Sequence, residues 1–158
     1  MIVIFIGHSK VHYGVDAAKA LMEALEKNIN GEDVTFYMGL NGKFDWLAKN
    51  CCLKYKKKHG NAKIIFVTPY IDEKYLNNLR FAIEGFDEVL YPDLEKVPKR
   101  YAIAARNYYM IDNADIVMHY TYHPFTNAMK FVNYASDKNK KLVDLFMLMY
   151  YPECMLPQ

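Results

Sequence analysis

Cysteine is scarce in this chain, at three in 158 residues. Two of them, Cys51 and Cys52, are adjacent, and neighbouring cysteines rarely bridge each other. No C-x-x-C pair and no histidine pair stands near them, so neither a disulfide framework nor a zinc site has its residues. The expectation is reduced thiols, no metal and no cofactor. Long apolar runs are also missing. Nothing approaches the roughly 20 apolar residues that span a bilayer. The apolar start, residues 2–6, is too short for a secretory h-region and lacks a basic leader. Together these point to a soluble, cytoplasmic protein with no membrane partner. Charge of one sign is not in excess either. Twenty Lys and Arg against 18 Asp and Glu leave +2, which gives no electrostatic case for a nucleic-acid partner. Finally, the chain has no G-x-G-x-x-G and no Walker loop, so the standard dinucleotide and nucleoside-triphosphate fingerprints are absent.

What is there reads as one globular domain over residues 1–158, with 53% hydrophobic residues and no linker, repeat or low-complexity segment. Apolar runs closed by turn residues predict strands at 2–6, 34–38, 64–67, 88–91, 115–120 and 141–145. Helical stripes predict helices at 16–28, 44–57, 73–81, 99–112 and 126–137. The basic run 54–58 suits a solvated helix end, where cations complement the dipole. Strand and helix alternate throughout. That predicts an α/β protein of three layers, Rossmann-like, with an open and mainly parallel sheet. The apolar tail from 146, with Pro152 and Pro157, is expected to pack on the sheet or on a second subunit, making a homodimer possible.

Ligands on such sheets bind beyond the carboxyl ends of the strands. The first strand ends in Gly7-His8-Ser9-Lys10, where glycine permits a sharp turn and close approach, and Ser9 and Lys10 can donate to phosphate. The second ends in Gly39-Leu40-Asn41-Gly42-Lys43-Phe44-Asp45, a turn before a helix whose amides can meet an anion. Asp45 either complements the helix dipole or accepts from a ribose hydroxyl or acts as a base. The third strand ends at Pro69-Tyr70, where Tyr70 packs or stacks on a base. Thr126 or Asn127 can cap the last predicted helix, and the amides there offer a second anion site.

The densest polar segment is 106–115. Arg106, Asn107, Asp112 and Asp115 fall near the end of a predicted helix that runs into a strand. A guanidinium is a planar fork suited to phosphate or carboxylate. Arg106 either serves a ligand or bridges to Asp112 or Asp115 and ties helix to sheet.

Together these positions resemble the SLOG superfamily, the Rossmann-like group that includes the LOG and DprA folds. The resemblance is nearest to its small bacterial YspA-like and YpsA-like branch. Gly7-His8-Ser9 stands where that branch has G-H-R. Gly39, Gly42, Phe44, Asp45 and Ala48 match G-x-x-G-F-D-x-x-A. Pro69-Tyr70 matches its P-Y turn, and Arg106-Asn107, Met110, Asp112 and Asp115 match R-N-x-x-M-x-D-x-x-D. The similarity runs over roughly residues 2–145 in register. It implies a site for a nucleotide or nucleotide sugar, ADP-ribose-like, with Arg106 orienting the ligand, and Asp45 or Asp112 taking ribose hydroxyls. Some members of the wider superfamily are phosphoribohydrolases, and others are sensors or DNA-binding proteins.

Two departures shape the functional expectation. Ser9 replaces the family arginine, and Phe125-Thr126-Asn127 replaces a G-G-T loop. The P-G-G-x-G-T-x-x-E motif of the phosphoribohydrolases is missing, and its glutamate with it. Three readings follow. The first is a sensor or regulatory protein that binds a nucleotide derivative. The second is an N-glycosidic-bond hydrolase using Asp45 or Asp112 as acid/base or nucleophile. The third is a degenerate fold used as an interaction module through the tail 146–151.

Overall fold

The structure, a computed structural model, describes residues 1–155. Six strands form one parallel sheet: β1 (Ile2–Gly7), β2 (Val34–Met38), β3 (Ala62–Val67), β4 (Glu88–Leu90), β5 (Ile116–Tyr120) and β6 (Lys141–Asp144). Their order is β4-β3-β2-β1-β5-β6, every neighbouring pair parallel. The α/β, Rossmann-like expectation therefore holds. Helices α1 (Gly14–Asn28) and α2 (Lys43–His59) cover one face, and α4 (Ala102–Asn113) and α5 (Asn127–Asp137) the other; the short α3 (Glu73–Asn78) lies near the β4 edge.

The pleat explains both cores. Val3 and Phe5 of β1 point to the α1 and α2 side with Phe36, Ile64 and Met118. Ile4 and Ile6 point to the α4 and α5 side with Ile65, Val67 and Val117. Both sets are buried, so β1 reads as an unbroken apolar run and not as an alternation. The chain moves outward from β1 through β2, β3 and β4, then returns to β1's other side at β5. The crevice between the carboxyl ends of β1 and β5 is thus the switch point of the sheet.

Several boundaries differ from the sequence reading. The third helix stops at Asn78, where two asparagines and Leu79 turn the chain, three residues short of the expected end. Residues Lys99–Tyr101 form a 3-10 turn before α4 begins at Ala102. The last strand ends at Asp144, whose carboxylate accepts the Met147 N–H at 2.9 Å and caps a short helix, α6 (Leu145–Tyr150).

That helix uses the apolar tail within the chain. Leu145 is buried, and the Phe146 ring packs against Tyr120 and Tyr122 at 6.0 and 5.5 Å. Pro157 lies outside the described residues. The basic run 54–58 closes α2 as expected, with Gly60 left-handed at φ 74° beyond it. Among the described residues, no helix is long and apolar enough to cross a membrane, and no cluster of His, Cys, Asp or Glu could hold a metal.

Candidate functional site

A cleft of about 950 Å³ opens at the switch point, between the loops after β1 and β2 and the first turns of α4 and α5. Its shape depends on three glycines whose missing side chains are replaced by the protein's own atoms. A Cβ on Gly7 would lie 2.2 Å from the Phe44 ring. One on Gly42 would lie 2.9 Å from Ser9 Cα, and the Lys43 N–H donates to the Ser9 carbonyl at 3.0 Å. One on Gly39 would lie 2.9 Å from the Arg106 guanidinium. At Gly42 the close approach is one of loop to loop, while the space over Gly7 and Gly39 is taken by Phe44 of α2 and Arg106 of α4. The Gly42 contact, with the Lys43 to Ser9 hydrogen bond, ties the loops after β1 and β2 together.

Arg106 forms the floor. It is 1% exposed, although it carries a full charge. Its Nε donates to Asn107 Oδ1 at 2.9 Å, and its Nη1 donates to the Val67 carbonyl at 2.8 Å. Among the described residues it has no ion-pair partner within 4 Å and Nη2 donates to no protein acceptor. Asp45 is the one carboxylate lining the cleft, near enough for its charge to favour the guanidinium but not to bridge it. Burial works against the charge on Arg106, yet a guanidinium keeps its proton in proteins. A buried cation without a bonded counter-charge is expensive unless something supplies one.

Asp45 is already engaged. Its Oδ2 accepts the Asn41 N–H at 2.8 Å and closes the loop before α2. Burial pushes its pKa up; the Asn41 N–H and the positive charge of Arg106 pull it back only in part. His8 links the two sides of the crevice. Its Nε2 accepts the N–H groups of Tyr122 at 2.9 Å and His123 at 3.3 Å. The proton of the neutral ring therefore sits on Nδ1. Burial, and then the neighbouring His123, lower the His8 pKa. Thr126 caps α5: its Oγ1 accepts from Met129 N at 3.3 Å and donates to the His123 carbonyl at 3.1 Å.

The cleft brings together Gly7, His8, Ser9, Gly39, Asn41, Gly42, Asp45, Arg106, Asn107, Thr126 and Asn127. Four other candidates stand elsewhere. Lys10 is exposed on the loop after β1. Phe44 is a core residue, stacked on Tyr120 at 5.8 Å and filling the space over Gly7. Tyr70 donates to the Lys99 carbonyl at 3.2 Å and meets Tyr75 edge to face at 4.9 Å. Asp112 lies at the last turn of α4. Its carboxylate accepts from the Tyr134 hydroxyl at 2.8 Å and its carbonyl from Lys140 at 3.0 Å. Six residues along a helix is about 9 Å, enough to carry Asp112 to the far edge of the sheet from Arg106.

Two expectations about Arg106 are corrected. It sits in the first half of α4, not near its end. It bridges neither Asp112 nor Asp115, because α4 runs antiparallel to the strands and carries both carboxylates away from the carboxyl edge. Asp115 is structural: its Oδ2 accepts the Ile2 N–H at 2.7 Å and holds the start of β1. Sequence reading also missed the wall formed by α4, the 3-10 turn that leads into it, and α5, which includes Arg100, Tyr101, Ile103, Tyr108, Lys130 and Phe131. A signal existed, since 100, 103 and 107, and likewise 101, 104 and 108, recur at helical spacing. The strand-end rule looks only at loops and passes over it.

No family model matches this sequence, and no curated protein matches it. Among solved structures the fold is similar to that of DNA processing protein A (DprA) from Streptococcus pneumoniae, with a TM-score of 0.61 at 15% identity. The match covers 97% of this chain and 55% of that one. At this identity the likeness is one of fold.

Proposed function

We propose that this chain, whose fold is DprA-like and Rossmann-like, binds a nucleotide or nucleotide-sugar derivative at the switch-point cleft, as a sensor or regulatory protein. Arg106 is the observation that carries the reading. It is buried, held from below by Val67 and from the side by Asn107, and lacks a bonded counter-charge among the described residues. An anion in the cleft supplies that charge. The remaining floor supports the same chemistry. Ser9, Asn107 and Asn127 line the cleft and are donors, and the N-termini of α2 and α5 face it, with the Lys43 amide given to the Ser9 carbonyl and the Met129 amide to Thr126. The motif order read from the sequence supports the YspA-like and YpsA-like branch, and an ADP-ribose-like ligand, as the finer reading.

Binding is favoured over cleavage on this chain's own residues. Asp112 stands outside the cleft, and Asp45 is committed to the Asn41 amide. The test is thermal unfolding with AMP, ADP-ribose and pyrophosphate, with free base followed in parallel. A ligand of the native state raises the melting temperature by mass action. The expected result is a rise with at least one of these, lost in Arg106→Gln, without base release. No rise with any of them overturns the reading, and base release turns it into cleavage.

A further inference from the structure

The cleft is much larger than an anion needs, and its two halves differ in chemistry. The floor is polar. The wall, built by α4, the 3-10 turn before it and α5, is aromatic and aliphatic: Tyr101 is 52% exposed, Ile103 39% and Tyr108 38%, and all three line the cleft with Phe131. Large apolar side chains left open to solvent on one concave surface mark a place where something apolar sits. Tyr108 is held in position by edge-to-face contacts with Phe131 at 5.2 Å and Tyr134 at 4.7 Å. Tyr101 is covered by the Arg100 guanidinium at 4.8 Å from its ring. Asp45, the single carboxylate of the cleft, belongs to the floor, while the wall carries only cations, Arg100 and Lys130.

From this division we infer that the α4–α5 wall is a base-stacking subsite: a nucleobase lies against Tyr101, Ile103 and Tyr108 while its phosphate reaches Arg106. The inference rests on the nucleotide reading above and adds the ligand's orientation, with phosphate inward and base outward. A planar ring suits the wall because aromatic stacking needs a π face and little hydrogen bonding. The subsite therefore tolerates different bases.

The test compares AMP, ribose 5-phosphate and pyrophosphate by calorimetry on the wild type and on Tyr108→Ala, Tyr108→Phe and Tyr101→Ala. The expected result is that Tyr108→Ala weakens AMP roughly 10- to 100-fold, that Tyr108→Phe restores it, and that the other two ligands are unchanged. Tyr101→Ala guards against a folding defect at Tyr108, since its side chain is half exposed; it weakens AMP in the same selective way. AMP bound no more tightly than ribose 5-phosphate by the wild type overturns the subsite and leaves the anion site standing. A loss in Tyr108→Ala shared equally by all three ligands, in a protein that still melts normally, also overturns it. No binding of any ligand overturns both.

Discussion

The guanidinium of Arg106 lies so close to Gly39 that a Cβ there would stand 2.9 Å from Cζ, Nη1 and Nη2. The end of β2 is bare so that a charged side chain from α4 can cross over it and reach the crevice. The Gly39 backbone is not in the left-handed region, so alanine is conformationally acceptable there. Gly39→Ala should therefore cost little stability, because the group in the way is the far end of a side chain. It should displace the guanidinium and weaken pyrophosphate binding about tenfold, a loss of about 1.4 kcal/mol. Denaturant unfolding and calorimetry on the same variant separate the two effects. Unchanged binding would show that Arg106 does not serve the cleft.

Gly7 gives the opposite balance. A Cβ there meets Phe44 at its ring and at its own Cβ, 2.2 and 2.7 Å away. The base of a side chain cannot swing clear. Gly7→Ala should destabilise by about 1–3 kcal/mol through overpacking, read as a lower urea midpoint at an unchanged slope.

Asp45→Asn distinguishes a counter-charge from a ribose acceptor. The amide oxygen can still accept the Asn41 N–H, while the cleft loses its one negative charge. Pyrophosphate should then bind more tightly, by several-fold. AMP should follow pyrophosphate if Asp45 makes no ribose contact, and should weaken against it if it does. A loss of pyrophosphate affinity would contradict the electrostatic account.

His8 predicts a pH dependence with a definite sign. An unfolded histidine titrates near 6.5, and the folded His8 pKa lies below that value. Between the two, the unfolded chain binds more protons, so stability falls as pH drops through that window. The contribution is fully present above about 6.5. The cause is burial of the ring, with the neighbouring His123 adding to it, and Nε2 is already engaged as the acceptor of two backbone N–H groups. His8→Gln keeps an acceptor near that position and cannot titrate, so its stability between pH 5 and 7 should be flatter than the wild type's. A parallel pair of curves would remove His8 as the source.

Asp115→Ala should separate fold from site. It removes the acceptor of the Ile2 N–H, leaving that donor without its partner at the start of β1. The expected cost is about 0.5–1.5 kcal/mol, the net value of a solvent-accessible hydrogen bond, with nucleotide and pyrophosphate affinity unchanged at a temperature where the variant is folded. Reduced affinity in the folded variant would mean that Asp115 couples to the cleft.

The alternation of strand and helix, and with it the α/β layers, is legible in the residue pattern. Unbroken apolar runs such as 2–6, too short for a helix and closed by turn residues, read as strands buried on both faces, and parallel connections require crossovers long enough for the intervening helices. The same pattern also shows which loops meet, because strand ends in a parallel sheet share one edge. What it left open was which end of each helix reaches that edge. Arg106 and Asp112 share a helix and a motif, yet the antiparallel run of α4 sends one into the cleft and the other to the opposite edge. The glycines were legible as places of close approach, but not as places filled by Phe44, Ser9 and Arg106. Those contacts, and the aromatic wall on α4 and α5, come from packing between segments far apart in the chain. Such contacts become visible once the chain is folded, since side-chain neighbours across layers leave no local pattern in sequence.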